Sequence, residues 1–268
     1  ERPARRSPSG LRRRRRIALV LLRALAVLVV SSGVSSAATA DEIRVAAASN
    51  VSATIEVLAE RFEETSGHDV LLVPGSTGKH YAQIRHGAPF DLFLAADVRR
   101  PELLERDGLT VPGSRFTYAI GRLVLWSLRK GYVDVSGDIL VNGTFRYLAL
   151  ANPELAPYGR AARETLQALG AWDRLDGRMV RGENVAQAFQ FVASGNAELG
   201  LVALSQVTRD GQLKAEGSFW EVPSELHRPI EQQAVLLDDT SASRAFIEFL
   251  RSDEARAIIR AHGYTTPD

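Results

Sequence analysis

The sequence predicts an α/β fold built on mostly parallel sheets, and three observations carry that expectation. Strand-like and helix-like segments alternate from residue 43 to residue 108 in a β-α-β-α-β order. A second alternation of the same kind runs from residue 123 onward. The chain after residue 40 has no repeat period, low-complexity tract or long Gly/Ser linker to interrupt this pattern. Alternation of this kind is the signal for a parallel sheet with right-handed crossovers.

Taken in order, residues 43–47 read as a buried strand. Residues 51–65 place Ile55, Leu58, Ala59 and Phe62 at helical spacing, and Gly67 ends the run. Residues 70–73 form a second apolar β-rich run, 78–85 a helix and 91–95 a third strand. A helix opened by Pro101 follows and ends near Gly108. In the second half, 123–126, 147–151 and 199–203 are strand-like, while 159–169 and 185–193 are helical. A strand at 234–237 and helices at 242–250 and 253–262 complete the chain. Crossings near residues 118–122 and 221–232 would join two lobes, one of residues 41–121 with 229–268 and one of residues 122–228.

The first forty residues are expected to lie outside this fold. Arg12 to Arg16 form a basic block, an apolar run of about fourteen residues follows and carries Arg23, and Ala38-Thr39-Ala40 ends the segment in an A-x-A pattern. This is the three-part organisation of a cleaved export signal, with Asp41 as the mature start. The run is too short for a membrane anchor, which needs roughly 20 apolar residues. Residues 1–40 hold nine Arg and one Glu, which leaves 24 basic and 31 acidic residues and moves the formal charge from +1 to −7. The precursor's pI of about 8.4 is therefore no argument for nucleic-acid binding. Cysteine is absent, which excludes disulfides, thiolate metal sites, thiol nucleophiles and a lipid anchor at the cleavage site. An exported protein without a lipid anchor points to a periplasm.

Four strand-to-helix junctions carry similar chemistry. They are Ala48-Ser49-Asn50, Gly75-Ser76-Thr77-Gly78, Pro157-Tyr158-Gly159 and Glu183-Asn184-Val185. Each opens a helix and so offers unpaired backbone N–H groups; the first three add a hydroxyl or an amide. In open α/β sheets ligands sit beyond the carboxyl ends of the strands, where these junctions fall. Several helix starts aimed at one point can bind an anion without a formal positive charge. The competing reading is local: Ser, Thr and Asn as ordinary helix caps, the glycines as turn formers, and Tyr158 as a surface aromatic.

The ordered set AAASN (46–50), GSTGKHYAQI (75–84), GAPFDLFLAAD (87–97), NPELAPYG (152–159), GENVAQAFQFV (182–192) and ELGLVALSQV (198–207) resembles the periplasmic molybdate-binding proteins of ABC transporters. The resemblance spans essentially all of residues 41–268. It implies the two-lobed type II periplasmic binding-protein fold, each lobe a mixed, mostly parallel sheet flanked by helices. It also implies a molybdate or tungstate ligand, no cofactor, a membrane permease as partner and a monomeric chain. Carried over residue by residue, the oxyanion contacts fall on Ser49, Asn50, Thr77, Tyr158 and the Val185 main-chain N–H, with Ser76 as a helper. The metal at the centre of the oxyanion would have no direct protein ligand. One branch of the family has a Tyr after the strand that here ends at Ala203, and an Ala where this chain has Tyr158. The tyrosine hydroxyl is thus expected from the other position.

Rival functions find less support. A receptor for sulfate or another small oxyanion would share the fold, and sulfate rejection would rest on cavity size. An exported enzyme is disfavoured because no Ser–His–acid set stands out and the Ser76 turn is not G-x-S-x-G. A sensing regulator domain is disfavoured by the export signal. The five His (68, 80, 86, 227, 262) are scattered and expected to be solvated, as are the Arg99-Arg100 pair, Arg160 and Arg163. Trp126, Trp172 and Trp220 are expected to pack.

Overall fold

A computed structural model describes residues 41–214 and 216–267; the export signal expected over residues 1–40 lies outside the described residues. The chain begins with β1 (Glu42–Ala48), α1 (Ser52–Ser66), β2 (Asp69–Gly75), α2 (Thr77–Arg85), β3 (Leu92–Ala95) and α3 (Arg99–Arg106). This is the β-α-β-α-β run expected from the alternation, with β2 and β3 both pairing parallel to β1. Helix α1 buries Ile55, Leu58, Ala59 and Phe62, the residues whose spacing announced it, and Gly67 ends it at φ 74°. Helix α3 begins at Arg99 rather than Pro101. Proline is tolerated in a first turn because the N–H it lacks would have had no helical partner.

Strand β4 (Phe116–Gly121) leads through Arg122 into β5 (Leu123–Ser127). The chain continues through α4 (Ile139–Asn142), β6 (Leu148–Ala151), α5 (Pro157–Ala168), a 3-10 turn at Asp173–Leu175, β7 (Met179–Gly182), α6 (Val185–Ala193), β8 (Leu199–Ala203) and the short α7 (Leu204–Val207). A small hairpin of β9 (Thr208–Arg209) and β10 (Gln212–Leu213) precedes β11 (Ser218–Glu221) and a 3-10 turn at Ser224–Leu226. Then come β12 (Ile230–Leu236), α8 (Ser241–Leu250) and α9 (Asp253–Ala261).

Two five-stranded mixed sheets result, with orders β2-β1-β3-β12-β4 and β11-β5-β8-β6-β7. In the first, β12 runs antiparallel between β3 and β4. In the second, β6 is parallel to β7 and β8, while β5 is antiparallel to β8 and β11. Helices flank both sheets, giving the type II periplasmic binding-protein architecture. Phe62 packs edge-on against Phe246 at 5.0 Å in one core, and Trp126 stacks on Phe189 at 4.9 Å in the other. No helix among the described residues is long and apolar enough to cross a membrane.

Strands β4, β7 and β11 were not marked as strands by the sequence pattern. Each lies at or next to a sheet edge, where only one neighbour selects for apolar side chains, so the period-2 signal is weak. Two expectations about polar residues also fail. His80 is 3 % exposed, set edge-on to Phe90 and Phe93, and burial pushes its pKa below the usual value. His262 is likewise buried, with its Nδ1 against the Ile258 carbonyl. Their helices turn these rings inward, which scattered spacing along the sequence does not reveal.

Candidate functional site

The four junctions line one small cavity of about 10 Å³. Ala48, Ser49 and Asn50 reach it from the end of β1, and Gly75, Ser76 and Thr77 from the end of β2. Ala96 comes from the end of β3, Ala156, Pro157 and Tyr158 from the start of α5, and Asn184 and Val185 from the β7–α6 turn. The carboxyl ends of strands from both sheets therefore converge where an open α/β sheet places its ligand. Among the described residues, no ionisable Asp, Glu, His, Lys or Arg lines this cavity.

Hydrogen bonding separates caps from free donors. Only Asn184 behaves as a plain helix cap, its side chain accepting from the Gln187 N–H at 3.0 Å. The starts of α1, α2 and α5 have no side-chain cap. The Ser49 hydroxyl instead accepts from the Ala186 N–H at 3.4 Å, across from one sheet to the first turn of α6. The Thr77 hydroxyl accepts from the Ala96 N–H at 3.1 Å, so its own proton remains available. Ser76 is committed elsewhere, donating to the Leu155 carbonyl at 2.8 Å. The backbone N–H groups of Asn50, Thr77, Tyr158 and Val185 find no acceptor among the described residues. They are the orphan donors that helix starts always leave, gathered here around one small cavity.

Asn50 reaches the cavity through its backbone rather than its side chain. Its amide Nδ2 donates to Gln232 Oε1 and to the Tyr264 hydroxyl, both at 2.9 Å. Its carbonyl accepts from Tyr264 at 2.8 Å and from Ser205 at 3.1 Å. The side chain is thus a brace that fixes the N–H direction.

Tyr158 is the second residue of α5 and 1 % exposed, so it is no surface aromatic. Its hydroxyl is enclosed without a hydrogen-bond partner. Burial, with Tyr264 and Tyr118 nearby, holds its pKa well above the usual tyrosine value, so the group is neutral and carries its proton. Ala203, at the position where a related branch has its tyrosine, ends β8 outside the cavity lining.

Arg99 is exposed as expected, but two of the arginines expected in solvent, Arg100 and Arg160, converge on one carboxylate. Asp97, next to Ala96, holds Arg100 at 2.5 Å and Arg160 at 2.7 Å. Arg100 is nearly buried, and its guanidinium also donates to the Glu154 carbonyl. Arg163 pairs with Glu154. The Asp97 carboxylate is thereby paired with two guanidinium groups, and neither Arg100 nor Arg160 is among the cavity-lining residues. Further bonds join the same two halves around the cavity. Gly78 N–H and the Ser76 hydroxyl share the Leu155 carbonyl, and Lys79 pairs with Glu183 at 2.5 Å. Sequence reasoning missed two residues of this region, Gly121 and Gln232. One stands in the crossing and the other in the long final strand, and neither carries a motif.

Comparison with known proteins gives the family of the chain. Residues 43–265 match the family described as bacterial extracellular solute-binding protein. The molybdate-binding protein ModA of Azotobacter vinelandii is 49 % identical over 246 residues, covering 90 % of this chain and 97 % of that protein. The molybdate-binding protein ModA of Rhodobacter capsulatus is 43 % identical, covering 89 % and 94 %. The solved structure of an Azotobacter vinelandii periplasmic molybdate-binding protein superposes with a TM-score of 0.81 at 42 % identity, covering 84 % of this chain and all of that one.

Proposed function

Since this chain belongs to the bacterial extracellular solute-binding protein family, alongside molybdate-binding relatives up to 49 % identical, we propose that it captures molybdate or tungstate for an ABC importer. The observation that carries the reading is the lining of the cavity. It offers backbone N–H groups and hydroxyls from both sheets and no ionisable Asp, Glu, His, Lys or Arg side chain. Ser49, Thr77 and Tyr158 donate through hydroxyls, and Asn50 and Val185 through backbone N–H groups. Ser76 helps by holding Leu155 in place.

A dianion with no proton suits this set, because hydrogen bonds to a charged acceptor contribute roughly 1.5–3 kcal/mol each. A protonated phosphate is best served by a carboxylate acceptor for its O–H, and none is among the cavity-lining residues. Sulfate is also fully ionised, so its exclusion rests on the size of the cavity. Residues 41–268 carry a formal charge of −7 and repel anions at long range, and the short-range dipoles of the helix starts overcome that within the site.

In this reading residues 1–40 direct export and are removed after Ala40, leaving a periplasmic monomer that binds no nucleic acid. Residues 41–121 with 229–268 form one lobe and residues 122–228 the other. They hinge at Arg122 and in the 221–230 segment, and the closed form docks on the membrane permease. Calorimetric titration of residues 41–268 with molybdate, tungstate, sulfate and phosphate tests the assignment. Submicromolar molybdate or tungstate binding with negligible sulfate binding is expected; absence of heat with both molybdate and tungstate would overturn it.

A further inference from the structure

Behind the anion cavity lies a buried polar group that no motif announces. Gln232 sits on β12, fully buried, where the pairing with β4 slips register between Gln232 and Gln233. Such a bulge re-aims a side chain that a regular ladder would direct elsewhere. Gln232 Oε1 is occupied by two donors, Asn50 Nδ2 at 2.9 Å and the Tyr118 hydroxyl at 3.3 Å. These donors fix the amide orientation, since a flipped amide would set its NH₂ against the Asn50 NH₂. Gln232 Nε2 is consequently directed away from them, and it is enclosed without a partner of good geometry, as is the Tyr158 hydroxyl.

The two unpartnered atoms meet over Gly121. A Cβ placed on that glycine would stand 2.2 Å from the Tyr158 hydroxyl and 2.9 Å from Gln232 Nε2. We propose that Gln232 is a positioning residue for oxyanion binding: its Nε2 donates to the Tyr158 oxygen and thereby leaves that hydroxyl only one use for its proton, donation into the cavity. A phenol oxygen that already accepts one hydrogen bond from a fixed amide cannot rotate its proton toward that amide. Tyr158 then enters the site as an obligate donor, and Asn50, held by the other end of the same amide, does so through its N–H. One side chain thus sets the polarity of two contacts from opposite sides of the cavity. That arrangement favours an unprotonated anion over one bearing an O–H.

This inference rests on the oxyanion reading, and its test separates the two. Molybdate affinity is measured by calorimetry for the wild-type chain, Gln232→Met, Tyr158→Phe and the double variant, with thermal unfolding of each ligand-free protein alongside. Gln232→Asn, which keeps the amide chemistry but draws the nitrogen back, is carried in both backgrounds as the variant least disturbing to folding. If Gln232 acts through Tyr158, either substitution weakens binding about tenfold or more in the wild-type background. The loss then shrinks to under about threefold once the Tyr158 hydroxyl is gone. An equal affinity loss in both backgrounds, or none, overturns the positioning role and leaves the oxyanion reading standing. A wild-type chain that binds no molybdate removes both.

Discussion

Gly121 and Tyr158 approach so closely that no side chain fits between them: a Cβ on Gly121 would lie 2.2 Å from the tyrosine hydroxyl. Gly121 ends β4 beside the crossing into β5, and Tyr158 opens α5 beyond β6. The glycine backbone is not in the left-handed region, since its φ lies outside the positive range. Space alone therefore dictates glycine at this position. Gly121→Ala is expected to push the hydroxyl out of its place and weaken molybdate binding about tenfold or more. Calorimetry checks this, and an unchanged affinity would show that the hydroxyl is not held at the site.

Tyr158→Phe should separate binding from stability. The hydroxyl is buried, and in the ligand-free protein its loss forfeits only the neutral bond proposed from Gln232, about 1 kcal/mol. Its melting temperature is expected to fall by about 4 °C at most. Molybdate affinity is expected to fall by one to two orders of magnitude, following a bond of roughly 1.5–3 kcal/mol to a charged acceptor at about 1.4 kcal/mol per tenfold. A parallel loss of both quantities would point to a structural role instead.

Ser49 and Asn184 make an opposed pair. Asn184 caps α6, so Asn184→Ala should reduce stability by about 1 kcal/mol in urea unfolding of the ligand-free chain. Ser49 caps nothing, and its bond to the Ala186 N–H is long at 3.4 Å. Ser49→Ala should leave unfolding nearly unchanged while reducing molybdate affinity about tenfold. The reverse ranking would return Ser49 to the role of a helix cap.

The buried tyrosines impose an alkaline limit. Burial raises Tyr264 to about 12, and it holds Tyr118 and Tyr158 well above the usual value. A raised folded-state pKa contributes stability that is complete below pH 10 and is lost as pH climbs through the folded value. Tyr264 alone accounts for roughly 3 kcal/mol lost between about pH 10 and 12, at about 1.4 kcal/mol per pKa unit. Denaturant unfolding across pH 8 to 11.5 is expected to be flat with respect to these groups below 10 and steep above it. Tyr264→Phe should flatten the alkaline limb.

Asp97 is expected to be structural. It carries ion pairs to Arg100 and Arg160 in a nearly buried setting and accepts from the Arg100 N–H at 3.1 Å. Asp97→Asn leaves two guanidinium groups without their counter-ion, and breaking a buried pair on one side costs about 3 kcal/mol or more. The measurement is the urea midpoint of the ligand-free protein; a shift smaller than an exposed ion pair gives would place Asp97 among the solvated charges.

Much of the fold was legible along the chain because burial on both faces leaves continuous apolar runs, as at β1, β3, β5 and β8. Helices α6 and α8 were legible because Val185, Ala188 and Val192, and Ala242, Phe246 and Leu250, repeat at helical spacing. Edge strands such as β7 and β11 were not, since half of their residues meet solvent. The junction residues Ser49, Asn50, Thr77, Tyr158 and Val185 were visible as helix starts. The sequence could not separate Asn184, a cap, from Ser49 and Thr77, because capping is settled by which N–H a side chain reaches.

What the sequence by itself determined is the order of strands and helices, the placement of neutral donors at strand ends and the family to which they belong. These are local or patterned properties, set by spacing, turn residues and helix starts. Only the tertiary structure decided how the donors meet. It turned the Asn50 amide inward as a brace, wrapped Asp97 in two arginines, buried His80 and set the Tyr158 hydroxyl against Gly121 and Gln232. Those pairings join residues up to 214 positions apart, as Asn50 and Tyr264 are. Their strength comes from exclusion of water, which no single segment can provide.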